Sequence, residues 1–380
     1  MRPEDFSSRS PGELVRAPEG YWCYVPGPLP PSLAPAWSLT TQLSQADRAV
    51  AELAGVGRML PNPHLLIDPF VRREAVLSSR IEGTTATARQ LALFEVTAVQ
   101  QTHDELEVQN YVRALELGLE LLQELPISLR LIRRVHRRLL AGVRGADTQP
   151  GEFRTQQNMI ASWRGQSPVD ASFVPPPVPR MEAALHDLER YIHAPSELPL
   201  LIRLALIHYQ FEAIHPFMDG NGRMGRLLIT LLLCAEQYLP QPLLYLSAYF
   251  ERHRDAYMNH LLRVSQAGTW EEWITFFLTG VAEQARDAVH RSWRLLQLQR
   301  DYREKLQSPR GSVLPLKLVE YLFTTPALTA PLATQLLAVT PRAAQLTIDR
   351  LVAAGILRLS PGLSHPRVYV CDEIIEVIQA

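Results

Sequence analysis

Apolar residues recur at intervals of three and four along most of this 380-residue chain, which is the spacing of amphipathic helices. The pattern predicts helices over about 38–60 and 69–82, and Gly83 is suited to end the second one. Further segments with the same period are THDELEVQNYVRALELGLELLQEL, SLRLIRRVHRRLLAGVRG, RMEAALHDLERYIH, PLLIRLALIHYQFEAIH, GRLLITLLLCAEQYL, RDAYMNHLLRVSQ and TWEEWITFFLTGVAEQARDAVHRSWRLLQLQRDYREKL. The fold class is therefore predicted to be all-α.

One central segment, residues 151–180, has no helical period. It contains two short pieces with strand-like composition, NMIAS and ASFVP. These pieces flank WRGQSPVD, which carries turn residues. The pattern predicts a small β-hairpin set into the helical protein.

The two ends of the chain differ from the helical centre. Residues 1–36 are rich in proline and are predicted to form an extended arm rather than a domain. We expect a helical region over 37–110, a central core over 111–285 and a helical linker over 286–310. Residues 311–380 contain three helical patterns followed by a short hairpin pattern, an order that resembles a winged-helix domain.

The charges of this C-terminal region do not favour nucleic acid. Basic and acidic residues balance, so the phosphate-neutralising contribution that dominates DNA affinity is weak. The basic residues are Lys317, Arg342, Arg350, Arg358 and Arg367, and the acidic ones are Glu320, Asp349, Asp372, Glu373 and Glu376. We expect the region to mediate protein contact or formation of a homodimer, with DNA binding as the alternative.

Composition narrows the class of protein. The formal net charge of −1 provides no global attraction to nucleic acid or to an anionic membrane. The three cysteines, Cys23, Cys234 and Cys371, are scattered, which favours a reducing compartment and argues against a zinc knuckle. The N-terminus lacks the apolar core of a signal peptide, and no apolar run is long enough to span a bilayer. We therefore expect a cytoplasmic protein without membrane attachment.

The most informative stretch is IHPFMDGNGRMGRLL, residues 214–228. Its substring GNGRMG satisfies the G-x-G-x-x-G pattern of a dinucleotide-binding loop, which requires a strand before the glycines. Here an apolar helical pattern precedes the loop and another follows it. The context therefore excludes a Rossmann fold and predicts a loop between two helices.

Such a loop can bind an anion. Unpaired N–H groups and the helix dipole attract negative charge at a helix N-terminus, and Gly220 and Gly222 allow the backbone to approach a phosphate closely. Arg223 and Arg226 lie three positions apart on the first turn, where each can grip an oxyanion. The residues predict a site for a polyphosphate.

Two further side chains in the loop carry chemistry. Asp219 beside an anion cradle indicates a bridging Mg²⁺, and His215 is the group best able to accept a proton at neutral pH. Taken singly, each loop residue also fits an ordinary polar turn or a solvated face. The spacing of His208, His215 and Asp219 also allows a zinc site, although H-E-x-x-H is missing and His208 reads as a packed helix histidine.

The segment HPFMDGNGRMGR matches H-P-F-x-D/E-G-N-G-R-x-x-R, the signature loop of the Fic (filamentation induced by cAMP) family, which this chain resembles. The likeness continues through EVQNYVRAL, PGEFR, VPPPVPRMEAALHDLE, HYQFEAIHPF and WEEWITFFL, over roughly residues 40–280. The resemblance implies a Fic-type helical core with a β-hairpin flap. It also implies transfer of AMP from ATP to a hydroxyl side chain of a protein, with release of pyrophosphate.

The resemblance implies roles for individual residues. His215 resembles the base that deprotonates the target hydroxyl, and Asp219 resembles the Mg²⁺ ligand. Residues 157–176 resemble the flap, which holds the target backbone by β-augmentation. Tyr257 resembles the family's adenine-pocket tyrosine, and Met258 stands where a second tyrosine is common. The residues implied to contact ATP are Glu82, Ile160, Gly220, Asn221, Gly222, Arg223, Gly225, Arg226, Tyr257 and Met258.

A second motif lies at the end of the 69–82 helix. SSRIEG resembles the family's inhibitory motif S/T-x-x-x-E-G/N, with Ser78 and Glu82 one turn apart. A carboxylate at a helix C-terminus is unfavourable unless a cation compensates it. The resemblance implies that Glu82 pairs with Arg226 and occupies the place of the ATP γ-phosphate. The alternative is a solvated glutamate at a frayed helix end.

These observations favour a self-inhibited protein adenylyltransferase that acts on a Tyr, Thr or Ser hydroxyl of a protein, including its own chain. Removal of AMP, or a bifunctional enzyme, is one alternative, because a glutamate at the Glu82 position can instead place a water. A winged-helix regulator with a nucleotide-sensing core is the other. The intact loop argues against phosphoryl or phosphocholine transfer.

Overall fold

The computed structural model describes residues 1–33, 36–59, 64–97, 102–143, 149–160, 171–307, 312–361 and 366–379. Within them the chain is mostly helical, in agreement with the predicted fold class. The helices of the N-terminal and central regions are α1 (Trp37–Met59), α2 (His64–Ile81), α3 (Ala88–Val96), α4 (His103–Leu121), α5 (Leu129–Leu139), α6 (Val178–His193), α7 (Leu200–Ile214), α8 (Asn221–Ala235), α9 (Ser247–Arg252), α10 (Arg254–Ala267) and α11 (Trp270–Leu306).

Helix α7 is the centre of the core. Nearly all its residues are buried, as expected of a helix that is apolar all round. It ends where His215 adopts the left-handed conformation with φ 50°, and α8 begins after Gly220, whose φ is 76°. The predicted loop between two helices is therefore confirmed, and it connects two elements of the buried core.

Helix α2 begins earlier than the sequence predicts. The helix starts at His64 rather than at Pro69, which lies inside it. Leu65, Leu66 and Phe70 are buried, so packing against the core holds this turn helical in spite of the proline. The helix ends at Ile81, and Glu82 lies in the turn before Gly83, whose φ is 99°.

The N-terminal arm contains a pair of strands that was not predicted from the sequence. Strand β1 (Glu13–Arg16) pairs with β2 (Trp22–Val25) in an antiparallel register that sets Leu14 opposite Tyr24. The arm was predicted to be extended, and its backbone is extended in these strands. Pairing was not predicted because the prolines dominate the composition of the arm.

The predicted hairpin is described only at its base. Ile160 and Phe173 form an antiparallel bridge, with the Ile160 N–H 2.9 Å from the Phe173 carbonyl oxygen. Residues 161–170, which include the predicted turn, lie outside the described residues. The bridge joins the two pieces, NMIAS and ASFVP, that the sequence predicts to be the strands of the hairpin.

The C-terminal region follows the predicted order of three helices and a hairpin, with two additions. Its elements are α12 (Leu314–Thr324), β3 (Ala327–Thr329), α13 (Ala330–Leu337), α14 (Pro341–Ala353), β4 (Arg358–Leu359), β5 (Val368–Val370) and α15 (Asp372–Gln379). The strands form an antiparallel sheet in the order β3-β5-β4. Strand β3 and helix α15 were not predicted. The winged-helix assignment stays a prediction.

The segment predicted as a linker is the second half of α11, and it packs against the C-terminal region. Arg291 donates to the backbone carbonyl of Val377, and the Tyr302 hydroxyl donates to the Glu373 carboxylate at 2.7 Å. Tyr302 is fully buried. This part of α11 is therefore a packed element rather than an exposed spacer.

None of the described helices is both long enough and apolar enough to cross a membrane.

Candidate active site

The ring of His215 is oriented by the last turn of α7. Its Nδ1 lies 3.2 Å from the backbone carbonyl oxygen of Glu212. A carbonyl oxygen can only accept, so Nδ1 carries the proton and Nε2 keeps its lone pair in the neutral ring. Burial lowers the pKa of His215 to about 4, and the nearby charge of Arg154 acts in the same direction. The imidazole is therefore a neutral proton acceptor at physiological pH.

The backbone after His215 is held by side-chain amides. The Asn221 side chain accepts from the Phe217 N–H at 2.8 Å and donates to the Phe217 carbonyl at 2.7 Å. Asn158 donates to the carbonyl oxygens of His215 and Phe217 at 3.1 and 2.7 Å. Asn158 was not predicted as a site residue, although it is the first residue of the strand-like piece NMIAS. The loop is thus a rigid frame rather than a loose turn.

A second histidine holds the carboxylate end of the loop. His136 of α5 accepts from the Gly151 N–H through Nδ1 at 2.9 Å, so its Nε2 bears the proton that is donated to the Asp219 carbonyl at 2.9 Å. Its ring stacks on Phe217 at a centroid distance of 3.6 Å. Burial lowers the pKa of His136 to about 4, which keeps this tautomer neutral. Nothing in the sequence pattern separated His136 from the basic face of its helix.

The first turn of α8 points unpaired backbone donors at the loop. The first helical bond runs from the Met224 N–H to the Gly220 carbonyl, so the amides of Asn221, Gly222 and Arg223 precede the ladder. At Gly220, the positive φ favours glycine, and a Cβ would approach His136 Nε2 to 3.3 Å. The backbone therefore offers the N–H donors on which the predicted anion site depends.

Both arginines of the loop already bind protein groups. Arg223 contacts Glu107 of α4 at 2.9 Å, and its side chain is 3% exposed. Arg226 donates to the Ser78 hydroxyl and the Ser78 carbonyl at 2.9 Å, and to the Glu82 carboxylate at 2.7 Å. The pairing of Arg226 with Glu82 is the one that the resemblance implied, whereas the pairing of Arg223 with Glu107 was not predicted. Burial requires each guanidinium to have such a partner.

Glu82 lies over the anion-binding turn. A Cβ added to Gly222 would lie 2.3 Å from Glu82 Oε1, so the carboxylate rests against the backbone there. Burial alone would raise the pKa of Glu82, but the charge and hydrogen bond of Arg226 outweigh it and lower that pKa. The same pairing raises the pKa of Arg226 against the effect of burial. An ionised carboxylate thus stands at the N-terminus of α8, where an anion is favoured.

The Asp219 carboxylate can supply one of the ligands of a cation. Its side chain is 41% exposed, and its Oδ1 accepts from the Gly220 N–H at 2.6 Å and from Arg223 at 3.4 Å. Among the described residues, no three His, Cys, Asp or Glu side chains are grouped to hold a metal ion. The donor set therefore fits an ion such as Mg²⁺ that takes one carboxylate and completes its shell with substrate oxygens and water.

The two residues predicted for the adenine pocket, Tyr257 and Met258, differ in their exposure. Tyr257 is 1% exposed, stacks on Phe250 at 4.4 Å, and its hydroxyl lies 2.7 Å from Nε2 of His208. Met258 is 38% exposed on the same turn. Burial lowers the pKa of His208 to about 3. His208 is thus a packed, neutral histidine. Of the two predicted pocket residues, Met258 is exposed at the surface and Tyr257 is buried.

Gly225 serves helix packing. A Cβ at this position would lie 2.4 Å from Oε1 of Glu212 and 3.2 Å from Phe211, both on α7. Burial raises the pKa of Glu212 to about 8, so this carboxyl is mostly protonated at neutral pH. The position needs glycine because α8 passes close to α7 there, and the predicted contact of Gly225 with ATP stays a prediction.

Two family models match the chain. One, described as Fic/DOC family N-terminal, matches residues 40–120, and one described as Fic/DOC family matches residues 126–233. The protein adenylyltransferase Fic of Drosophila virilis is 28% identical over 203 residues, which are 52% of this chain and 38% of that protein. That of Drosophila yakuba is 30% identical over 167 residues, covering 42% and 31%. The chain thus matches less than half the length of these curated relatives.

Solved structures share the fold. A Fic family protein from Desulfovibrio desulfuricans G20 has a TM-score of 0.58 and 19% identity, covering 90% of this chain and 98% of that one. Fic-1 from C. elegans has a TM-score of 0.52 and 22% identity, covering 68% and 74%. The matched segments contain the loop between α7 and α8, and also α2 with the turn after it that contains Glu82. The chain therefore belongs to the Fic/DOC family.

Proposed function

We propose that this protein is an adenylyltransferase that moves AMP from ATP to a hydroxyl side chain of a protein, and that Glu82 holds it in a self-inhibited state. The observation that carries the proposal is the loop between α7 and α8. It joins a neutral histidine with a free Nε2 lone pair to a helix N-terminus with unpaired amides. The name shared by the relatives, protein adenylyltransferase Fic, supports this reaction.

The proposed step is an in-line displacement at the α-phosphorus of ATP. The target hydroxyl oxygen forms a bond to the α-phosphorus, and the bond from that phosphorus to the bridging oxygen breaks. Pyrophosphate leaves with the electron pair, and His215 Nε2 takes the hydroxyl proton. The product is a phosphodiester on the target and an imidazolium on His215. The Glu212 carbonyl holds the ring in place because it accepts from Nδ1 throughout.

The first turn of α8 binds the phosphates. Amides of Asn221, Gly222 and Arg223 offer hydrogen bonds that cost no rearrangement at the moment of reaction. Arg223 contributes its charge from the buried pair with Glu107 and braces α8 against α4. Asp219 would hold Mg²⁺, which would offset the negative charge of the phosphates.

Inhibition follows from the place of Glu82. Its carboxylate rests against Gly222 and engages Arg226, so it takes both the position and the partner that a γ-phosphate needs. ATP with its γ-phosphate displaced from Arg226 would lack the geometry for in-line attack. A group that draws Glu82 away would therefore activate transfer.

Removal of AMP is the second candidate. The Glu82 side chain is 34% exposed, so water can reach its carboxylate, and Arg226 lowers the pKa of that carboxylate, which favours its ionised form. In that role it would orient a water towards a phosphodiester.

We further propose that the C-terminal region makes protein contacts, including a homodimer, and that DNA binding is the alternative. Three unpaired cysteines support a cytoplasmic location.

The test is incubation with ATP labelled at the α-phosphate in the presence of Mg²⁺, followed by mass spectrometry of the labelled residue. Transfer predicts a mass increase of one AMP on a Tyr, Thr or Ser. A parallel incubation starts from AMP-modified protein without ATP and measures released AMP. Release without incorporation would replace transfer by the removal reaction, and neither signal would reject both.

A further inference from the structure

Arg154 connects three separate segments around the loop. It is 2% exposed, and its backbone N–H donates to the Pro216 carbonyl at 2.9 Å. Its Nε donates to the His215 carbonyl at 3.0 Å, and its terminal nitrogens donate to the carbonyls of Gln156 and Pro176. One side chain thus joins both ends of the 157–176 flap to the residue that bears the proposed base.

The partners of Arg154 are all backbone carbonyls. No carboxylate pairs with it among the described residues, and burial lowers the pKa of its guanidinium to about 10. A buried cation without a counter-ion is costly to a fold, so a purely structural role would be served better by an apolar side chain. The planar fork is suited instead to holding several fixed acceptors at once.

Asn158, in the first strand of the flap, makes a second connection between the flap and His215. Its amide donates to the His215 carbonyl, the same oxygen that receives Arg154 Nε, and to the Phe217 carbonyl. Two residues further on, Ile160 pairs with Phe173 in the flap bridge. A shift of this strand would therefore move donors that fix the backbone of His215.

The far side of the flap is braced by the N-terminal arm. The Tyr24 N–H of β2 donates to the Val174 carbonyl at 2.9 Å, and the rings of Tyr24 and Phe173 lie 5.6 Å apart. Cys23 and Val174 are buried in one small apolar cluster. Because β2 occupies the edge at Val174, the strand that bears Asn158 is the edge left for an extended target segment.

We propose that Arg154 and Asn158 are positioning residues that align His215 with a hydroxyl presented by a target strand on the flap. The inference rests on the proposed AMP transfer and adds to it a coupling between target docking and the base. The base of the flap is joined to the loop because both side chains donate to the His215 carbonyl from the flap side. A target strand then meets a base already at the correct distance and angle.

The test uses Arg154→Lys and Asn158→Ala in the Glu82→Gly background, with Arg190→Gln as the control. Lysine keeps the charge of Arg154 and loses the fork, whereas Arg190 is 77% exposed and pairs with Asp187 on its own helix. Self-modification is followed with α-labelled ATP over a range of ATP concentrations, and thermal unfolding is recorded for each protein. The pair of readouts separates positioning from folding.

We expect the maximal rate of labelling by both variants to fall roughly ten- to hundredfold, because small misplacement of a reacting group costs about that much. The KM for ATP should stay within about threefold of the parent, since phosphate contacts are unchanged. The control should match the parent in both parameters.

Equal maximal rates for Arg154→Lys, Asn158→Ala and the parent would overturn the inference, as would a rise in KM for ATP at unchanged maximal rate. If Arg154→Lys fails to fold, Asn158→Ala decides alone, because it removes two donors from the same frame without a buried charge. A Glu82→Gly parent that incorporates no label rejects the proposed function itself, and the inference falls with it.

Discussion

The guanidinium of Arg226 reaches the carboxylate of Glu82 at 2.7 Å across 144 residues of chain, and it also holds the hydroxyl and carbonyl of Ser78. These contacts join α2 to the first turns of α8. Since the carboxylate also rests against Gly222, the same ion pair covers the proposed phosphate site and anchors the N-terminus of α8.

Glu82→Gly should raise AMP transfer, seen first as self-modification, because it frees Arg226 for the γ-phosphate. Glu82 is 34% exposed and Arg226 is 2% exposed, so breaking this pair should cost less than the roughly 3–5 kcal/mol of a fully buried pair. A purely structural Glu82 therefore predicts a less stable and less active protein. Arg226→Ala in the Glu82→Gly background should remove the gain. Labelled-AMP incorporation by the four proteins of this cycle is the measurement. Incorporation by Glu82→Gly no greater than wild type would show that Glu82 is not inhibitory.

His215→Ala in the Glu82→Gly background should abolish transfer and leave the affinity for ATP within a few fold. The ring receives a proton and makes none of the proposed phosphate contacts, so its removal affects the chemical step. Labelling and equilibrium binding of ATP are measured on the same preparation. Turnover equal to that of the parent would remove His215 from the mechanism.

Asp219→Ala should abolish the dependence of ATP binding on Mg²⁺, because the carboxylate is the protein ligand proposed for the ion. ATP affinity is titrated against Mg²⁺ for wild type and variant. Asp187, a carboxylate on α6 that is 42% exposed and pairs with Arg190, provides a control as Asp187→Ala. A Mg²⁺ titration of Asp219→Ala that coincides with wild type would exclude it as a ligand.

Transfer should persist in mild acid. Because the pKa of His215 is lowered to about 4, its Nε2 stays unprotonated as pH falls from neutral to about 5, and activity should drop only near pH 4. Burial and Arg154 lower this pKa, while Glu82 and Asp219 raise it, so Glu82→Gly should shift the drop further towards acid. Initial rates across pH test this. Half-loss near pH 6.5, the ordinary value for histidine, would contradict the buried, neutral state.

The free energy of unfolding should decrease as pH falls from about 6.5 towards 4. His136, His208 and His215 have pKa values lowered by burial to about 4, 3 and 4. In this range the three histidines bind protons in the unfolded chain but stay neutral in the folded chain. The free energy of unfolding therefore rises with pH and decreases towards acid. Urea unfolding at several pH values measures the slope, and His208→Gln should make it shallower. A slope unchanged in that variant would show that His208 is not held neutral.

Sequence by itself determined the elements that depend on neighbouring residues. The helical period predicted α7 and α8, and the glycines between them predicted a turn with left-handed backbone, found at Gly220. The order of histidine, carboxylate and glycines predicted the chemistry of the loop, and the family models agree with its resemblance. These features could be read because backbone preference and side-chain period act within a few residues.

Only the tertiary structure decided which distant groups complete the site. Arg223 contacts Glu107, which lies 116 residues away in the chain, and His136 donates to the Asp219 carbonyl, which lies 83 residues away. No local sequence pattern identifies Glu107 or His136 as these partners. Burial of a charge or a polar ring requires a partner, but packing of whole helices chooses which one. The role of Arg154 became visible for the same reason, since its acceptors are carbonyls brought together from three segments.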